Sequence, residues 1–338
     1  MPKRFLGNIM TDAPTAPAGP YQDSAASGVW SLAEALSYTK GGLWPITGNA
    51  APRGLIAGVG NNNSYTNVIE FIVIATTGNS TDFGDRTVAT QRLSGFGSST
   101  RGMFNGGQGS ANLDTIDFVT IASTGNATDF GNMSAGAQLG AGLSNNVRGV
   151  MALGYISDDS DTIDYVTIAN TGNSTDFGNL SVARPYLTSC ASTTRGLFAS
   201  GVTAAGNVSF NVIDYITIGS TGNATDFGNL TRTYYAQSAC ASNTRGVFAG
   251  GYANPSIIEY VTIANTGNAT DFGDLIVANS RMSSVGSNVR AVFAGGNSSA
   301  TMDYITIATT GNASDFGDLS AVTKHGAGCS GSHGGIAA

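Results

Sequence analysis

The stretch Asn265–Leu275, NTGNATDFGDL, decides how this chain is read, because near copies of it occur six times. The others are TTGNSTDFGDR, STGNATDFGNM, NTGNSTDFGNL, STGNATDFGNL and TTGNASDFGDL. A motif in that many copies is first a question about architecture, since fixed-period self-similarity marks repeat folds. The Asp of Asp-Phe-Gly (Asp82, Asp129, Asp176, Asp226, Asp271, Asp315) stands 12 residues after an acid in an Ile-acid-aromatic triplet (Glu70, Asp117, Asp164, Asp214, Glu259, Asp303). It stands 19 residues before the next Arg slot (Arg101, Arg148, Arg195, Arg245, Arg290), and in the last copy that count reaches Gly334. Only the span from Arg to acid changes, running 17, 16, 16, 19, 14 and 13 residues from Arg53 onward. One loop per repeat therefore carries all the length variation.

Each unit reads as four short strands, represented by Ser238–Ser242, Arg245–Gly251, Ile258–Ala264 and Ala269–Leu275. Forty-seven glycines and only 11% charged residues suit tight turns between strands and exclude a helical bundle. Four strands in about 45 residues make a propeller blade. The pattern predicts an all-β, six-bladed propeller over 51–338, preceded by an arm over 1–50. The residual GGIAA at the C-terminus leaves a seventh, incomplete blade as the alternative. Ser31-Leu-Ala-Glu34 is a capping box that predicts one short helix in the arm. Trp30, Leu36 and Trp44 give that segment an apolar surface, read as an attachment point or a plug.

A net charge of −7 without a basic run argues against nucleic-acid binding, and no stretch has the length of a membrane span or a signal peptide. The Asp-Phe-Gly copies lack the lysine and loop contexts of a kinase, so the Phe is expected to be a packing residue between blades. The sequon asparagines (Asn79, Asn126, Asn173, Asn223, Asn268, Asn312) fall in one repeated turn and read as turn chemistry. The repeated acids are expected to pair with the repeat arginine or to cap turn amides. Ser157–Asp161, SDDSD, gathers Asp158, Asp159 and Asp161 and is the best place for Ca²⁺; no other cofactor is indicated. Cys190, Cys240 and Cys329 hold one register position shared with Phe96, Leu143 and Val285, so cysteine acts there as an apolar filler. His325 and His333 read as solvent-exposed residues of the last turns, and no nucleophilic triad can be assembled. The unequal loops carry Tyr65, Tyr155, Phe210 and Tyr252 among Asn, Ser and Gly, a composition suited to sugars or a protein surface.

The Gly-Gly doublets (Gly106-Gly107, Gly250-Gly251, Gly295-Gly296) and the third-strand aromatics from Phe71 to Tyr304 resemble kelch-type repeats, with Phe where that family usually has Trp. Together with SGVWSL and GGLWP near the N-terminus, the repeated hairpin resembles kelch-like propeller proteins of tailed bacteriophages of marine and aquatic bacteria. The resemblance covers residues 25–338. It implies a non-enzymatic virion structural protein, a tail-fibre, tail-tip or capsid-surface component. Its arm would hold other virion proteins, its propeller would meet a host glycan or protein, and assembly as a homo-oligomer would fit. The alternatives are a propeller enzyme acting on surface polysaccharide and a secreted, extracellular adhesin.

Overall fold

The computed structural model describes residues 52–60, 64–205, 208–253, 255–297 and 299–336. These form six four-stranded antiparallel sheets arranged as the blades of a β-propeller, with no helix among them. The arm residues Trp30, Leu36 and Trp44, and the helix expected beside them, lie outside the described residues. The ring closes by pairing the C-terminal strand Ala327–Ser330 with Arg53–Ala57, in register from Gly54 opposite Ser330 to Ala57 opposite Ala327. One blade is thus built from both ends of the propeller segment, and the seventh-blade alternative does not hold.

The innermost strand of each blade lines the axis: Ser94–Gly97, Ala141–Ser144, Thr188–Ala191, Ser238–Ala241, Ser283–Gly286 and Ala327–Ser330. They are poor in bulk because the strands converge. A Cβ placed on Gly328 would lie 2.0 Å from the Ser284 carbonyl oxygen, closer than atoms can approach. The second strands are buried along their apolar residues. The filler position packs from one blade onto the Arg-Gly glycine of the next. A Cβ on Gly149 would meet the Phe96 ring at 2.0 Å, and one on Gly246 would meet Cys190 Sγ at 2.8 Å. All three cysteines are free and buried, and burial pushes the thiols of Cys240 and Cys329 up to about 12.

Between the acid of every third strand and the residue before it (Ile, or Met302 in the last copy) the register shifts by a β-bulge. The bulge re-aims the acid inward, so Asp117, Asp164 and Asp214 are completely buried. The following aromatic meets the Asp-Phe-Gly phenylalanine edge to face, with centroids about 6 Å apart, as in Tyr165–Phe177 and Tyr260–Phe272.

Blades are joined by the opening repeat itself. The Asn126 side-chain oxygen accepts the Asp85 N–H at 3.1 Å, and Asn173, Asn223, Asn268, Asn312 and Asn79 do the same for Asn132, Asn179, Asn229, Asp274 and Asp318. The preceding glycine N–H donates to the neighbouring phenylalanine carbonyl, as from Gly125 to Phe83 at 2.8 Å. Gly84 has φ +144°, and a Cβ there would strike the Gly125 carbonyl at 2.5 Å. Asp-Phe-Gly and Thr-Gly-Asn are complementary halves of one joint.

Of the two roles expected for the repeat acids, the capping of turn amides is found and the pairing with the repeat arginine is not. Each of these arginines lies over the aromatic of its own third strand, 4.3–4.7 Å from the ring centroid. It donates to a carbonyl of the next blade, as Arg148 does to Ile218 at 3.0 Å. Five of the acids cap amides of the preceding blade, as Asp164 accepts from Ser134 N–H, Glu259 from Thr231 N–H and Asp303 from Ile276 N–H, while Asp117 accepts from the Thr87 hydroxyl. Among the described residues two acids do meet an arginine, in the buried pairs Arg86–Asp117 (2.9 Å) and Arg184–Asp214 (3.1 Å). Neither arginine occupies the repeat Arg slot.

Candidate functional site

The channel along the axis, about 170 Å³, has two different ends. Strand direction puts the inner-to-second and third-to-outer turns on one face of the disc. The variable second-to-third loops and the blade-to-blade links share the other, the loop face.

On the turn face, Gly331–Ile336 cross the end of the channel. Ser332 bridges to Ser287, the Gly334 N–H donates to the Ala241 carbonyl at 2.9 Å, and Gly335 lies so near Ser144 that a Cβ would meet its carbonyl at 1.8 Å. His333 sits in this crossing. Its Nδ1 accepts the Gly335 N–H at 3.1 Å, which leaves Nε2 to carry the proton and donate to the Gly97 carbonyl at 3.1 Å. Burial lowers its pKa, and the Gly97 contact opposes the shift. The reading of His333 as a solvent-exposed terminal residue is therefore wrong. Gly334 and Gly335 continue this crossing because they fit between carbonyls, those of Ser242 and Ser144, where any side chain would collide.

On the loop face, one residue per blade closes a ring of backbone hydrogen bonds. The N–H of Arg92 donates to His325 O, Leu139 to Arg92 O, Tyr186 to Leu139 O, Ala236 to Tyr186 O, Arg281 to Ala236 O and His325 to Arg281 O, at 2.8–3.1 Å. All six have φ between +56° and +60°, and none is glycine. Left-handed backbone costs an ordinary residue on the order of 1 kcal/mol. The ring offsets that cost by satisfying six N–H and six C=O groups that converge on the axis, where no further strand can reach them.

The side chains from this ring line a mouth of about 80 Å³ that borders the channel. Arg92 donates from one terminal nitrogen to Gln108 and Gln138, at 2.9 and 3.1 Å, and its Nε has no partner. Arg281 lies over the Tyr252 ring at 5.6 Å, and its Nε also lacks a partner. His325 lies between them at the mouth and is half-buried. Its pKa falls to about 3, chiefly through burial and then through the charges of Arg281, Arg92 and Lys324. This also replaces its expected exposure to solvent. Among the described residues, none that lines mouth or channel is an Asp or Glu. A carboxylate pair for glycoside cleavage is thus not assembled there.

An arc of rings borders the mouth. His325 meets Tyr186 at 6.1 Å, Tyr186 meets Tyr235 edge-on at 5.5 Å, and Tyr235 stacks on Tyr252 at 4.6 Å with 14° between planes. Tyr252 is 48% exposed. Of the four loop aromatics singled out from sequence, this one lies beneath a mouth residue, Arg281, without itself lining the mouth. Tyr65 is an exposed loop residue, Tyr155 and Phe210 are half-buried, and these three share no ring contact with one another or with Tyr252. The candidate cation loop is spread over separate tasks. Asp158 accepts from Asp159 N–H, Asp159 from Ala204 N–H in the next blade, and Asp161 from the Asn179 side chain. Among the described residues no group of three or more His, Cys, Asp or Glu is placed to hold a metal ion.

Arg92, Tyr186, Tyr235 and Arg281 were not singled out from sequence, although a signal exists. The ring position lies ten residues after every Asp-Phe-Gly Asp and holds Arg, Leu, Tyr, Ala, Arg and His in turn. At that fixed offset, side-chain kind changes while the surrounding register does not.

No family model matches the chain, and no curated protein matches it either.

Proposed function

We propose that the chain is a displayed, non-enzymatic binding protein, carried on the surface of a virion and presenting the loop face of its propeller to a host-surface glycan or protein. One observation carries this reading: unequal loops, partnerless arginine nitrogens and an exposed tyrosine stack share a single face, while the turn face repeats one joint six times. A rigid disc with one individual face is suited to recognition, because function concentrates on loops held by a scaffold. The virion setting rests on the resemblance in the repeated hairpin and in the SGVWSL and GGLWP segments. Residues 1–50 would dock on the particle.

Mass spectrometry of particles purified from the encoding genome's lysate tests the setting. The chain is expected among the virion proteins, and its absence would exclude the virion role. Recognition is tested by adsorption of the purified chain to host cells, with the loops around Tyr65 and Tyr252 replaced by glycine-serine. Undiminished adsorption would exclude the loop face.

A further inference from the structure

The mouth concentrates positive charge on an acidic protein. Arg92, Arg281 and Lys324 are near enough to disfavour protonation of His325 between them, and among the described residues no acidic side chain lines the cavity. Two buried guanidinium Nε–H groups there have no acceptor. A buried donor without a partner carries its full desolvation cost, so two of them on arginines that line one opening point to an acceptor that arrives from outside. The acceptor chemistry that best matches a guanidinium is a planar or tetrahedral oxyanion. Beside these donors, Tyr252 is stacked on Tyr235, adjoins Arg281 and is 48% exposed, an aromatic surface against which a sugar ring can pack.

We propose that the loop-face mouth binds an acidic saccharide, with Arg92 and Arg281 receiving the oxyanion and the Tyr235–Tyr252 stack supporting the sugar ring. The shared chemistry is an oxyanion on a pyranose, either a uronic carboxylate or a sulfate ester. This rests on the loop face being the recognition face and names what that face takes. A neutral saccharide would stack on the tyrosines and leave both Nε–H groups unsatisfied. An anion without a ring would use the arginines and leave the platform idle. The net charge of −7 repels an anion at long range, and the cations gathered at the mouth offset that repulsion locally.

The test is titration calorimetry of the full chain with tetragalacturonate, with a sulfated heparin-type hexasaccharide, and with maltotetraose as the neutral control. Binding of at least one acidic probe is expected, weakening as salt rises. Arg92→Gln with Arg281→Gln should weaken it at least tenfold, and Tyr252→Ala should weaken it several-fold. Arg92→Lys with Arg281→Lys retains the charge and should recover part of the affinity. Melting curves confirm that each variant is folded, and Tyr252→Ala keeps the test alive should the arginine variants unfold. Binding of tetragalacturonate alone would assign a carboxylate ligand, and binding of the hexasaccharide alone a sulfate ligand; either supports the site. The proposal is overturned if neither acidic probe binds, if maltotetraose binds equally well, or if the arginine and tyrosine variants leave affinity unchanged. Host-cell adsorption through the loop face with no acidic-saccharide binding would sink this inference and leave the recognition reading standing. Loss of both would remove the two together.

Discussion

Asn79 accepts a hydrogen bond from the backbone N–H of Asp318 at 3.0 Å, across 239 residues of chain. The same bond joins every other pair of neighbouring blades, so the ring is closed by the joint that builds it. A net hydrogen bond of this kind contributes about 1 kcal/mol. Asn79→Ala and Asn223→Ala are each expected to lower stability by that amount in urea denaturation. If the ring unfolds as one unit, the two losses will be equal; a loss confined to Asn79→Ala would show that the closing joint differs from the rest.

The buried pair Arg184–Asp214 separates two kinds of stabilisation. Arg184 is wholly buried and held by Asp214 and by the Ser200 carbonyl. Burial lowers its pKa, and Asp214 opposes the shift. Removing one partner of such a pair leaves an uncompensated charge and costs about 3–5 kcal/mol. Arg184→Met should show that loss by urea midpoint. Adding Asp214→Leu should recover only part, because Asp214 also accepts from the Ser181 N–H and hydroxyl. Full recovery would mean that the amide cap contributes nothing.

Both histidines make the fold sensitive to acid. Their folded-state pKa values lie below the ordinary 6.5, so each contributes stability that is present above that pH. As pH falls from 6.5 the unfolded chain takes up protons that the folded chain resists, and stability declines, for His325 until about pH 3. Melting temperature is expected to drop between pH 7 and pH 5. His333→Gln should flatten that slope, and an unchanged slope in His333→Gln with His325→Gln would show that carboxylates dominate instead.

The left-handed ring gives a prediction with a sign. Ala236 has φ +56°. Glycine relieves the left-handed strain and adds unfolded-state entropy, so Ala236→Gly should change stability by no more than about 1 kcal/mol. Valine is poorly accommodated at positive φ, and Ala236→Val should cost about 2 kcal/mol or more. Calorimetric melting of the two variants decides the matter; equal effects would mean that backbone geometry at this position carries no strain.

The cysteines should be inert until the blades open. Cys190, Cys240 and Cys329 are buried against neighbouring second strands, and burial disfavours the thiolate. Labelling with a thiol reagent at pH 8 is expected to proceed only at the rate of unfolding. Rapid labelling in native buffer would contradict the packing.

Repeat period, four strands per unit, the leading count of six blades and the one loop per repeat that varies in length were legible in the amino-acid order. Each follows from spacing, and Asp-Phe-Gly recurs at an offset that tolerates no insertion. The packing role of the cysteines followed from the same register. What spacing cannot express is which groups meet across blades. The acid of Ile-acid-aromatic and the repeat arginine look complementary along the chain, yet a bulge turns the acid to the preceding blade while the arginine lies on an aromatic. Arg92 and Arg281 are 189 residues apart and His325 lies farther still, and they share one opening because sixfold closure brings a single register position to the axis six times. Local propensity and periodicity act within one blade. The mouth and its charge exist only once the sixth blade has met the first.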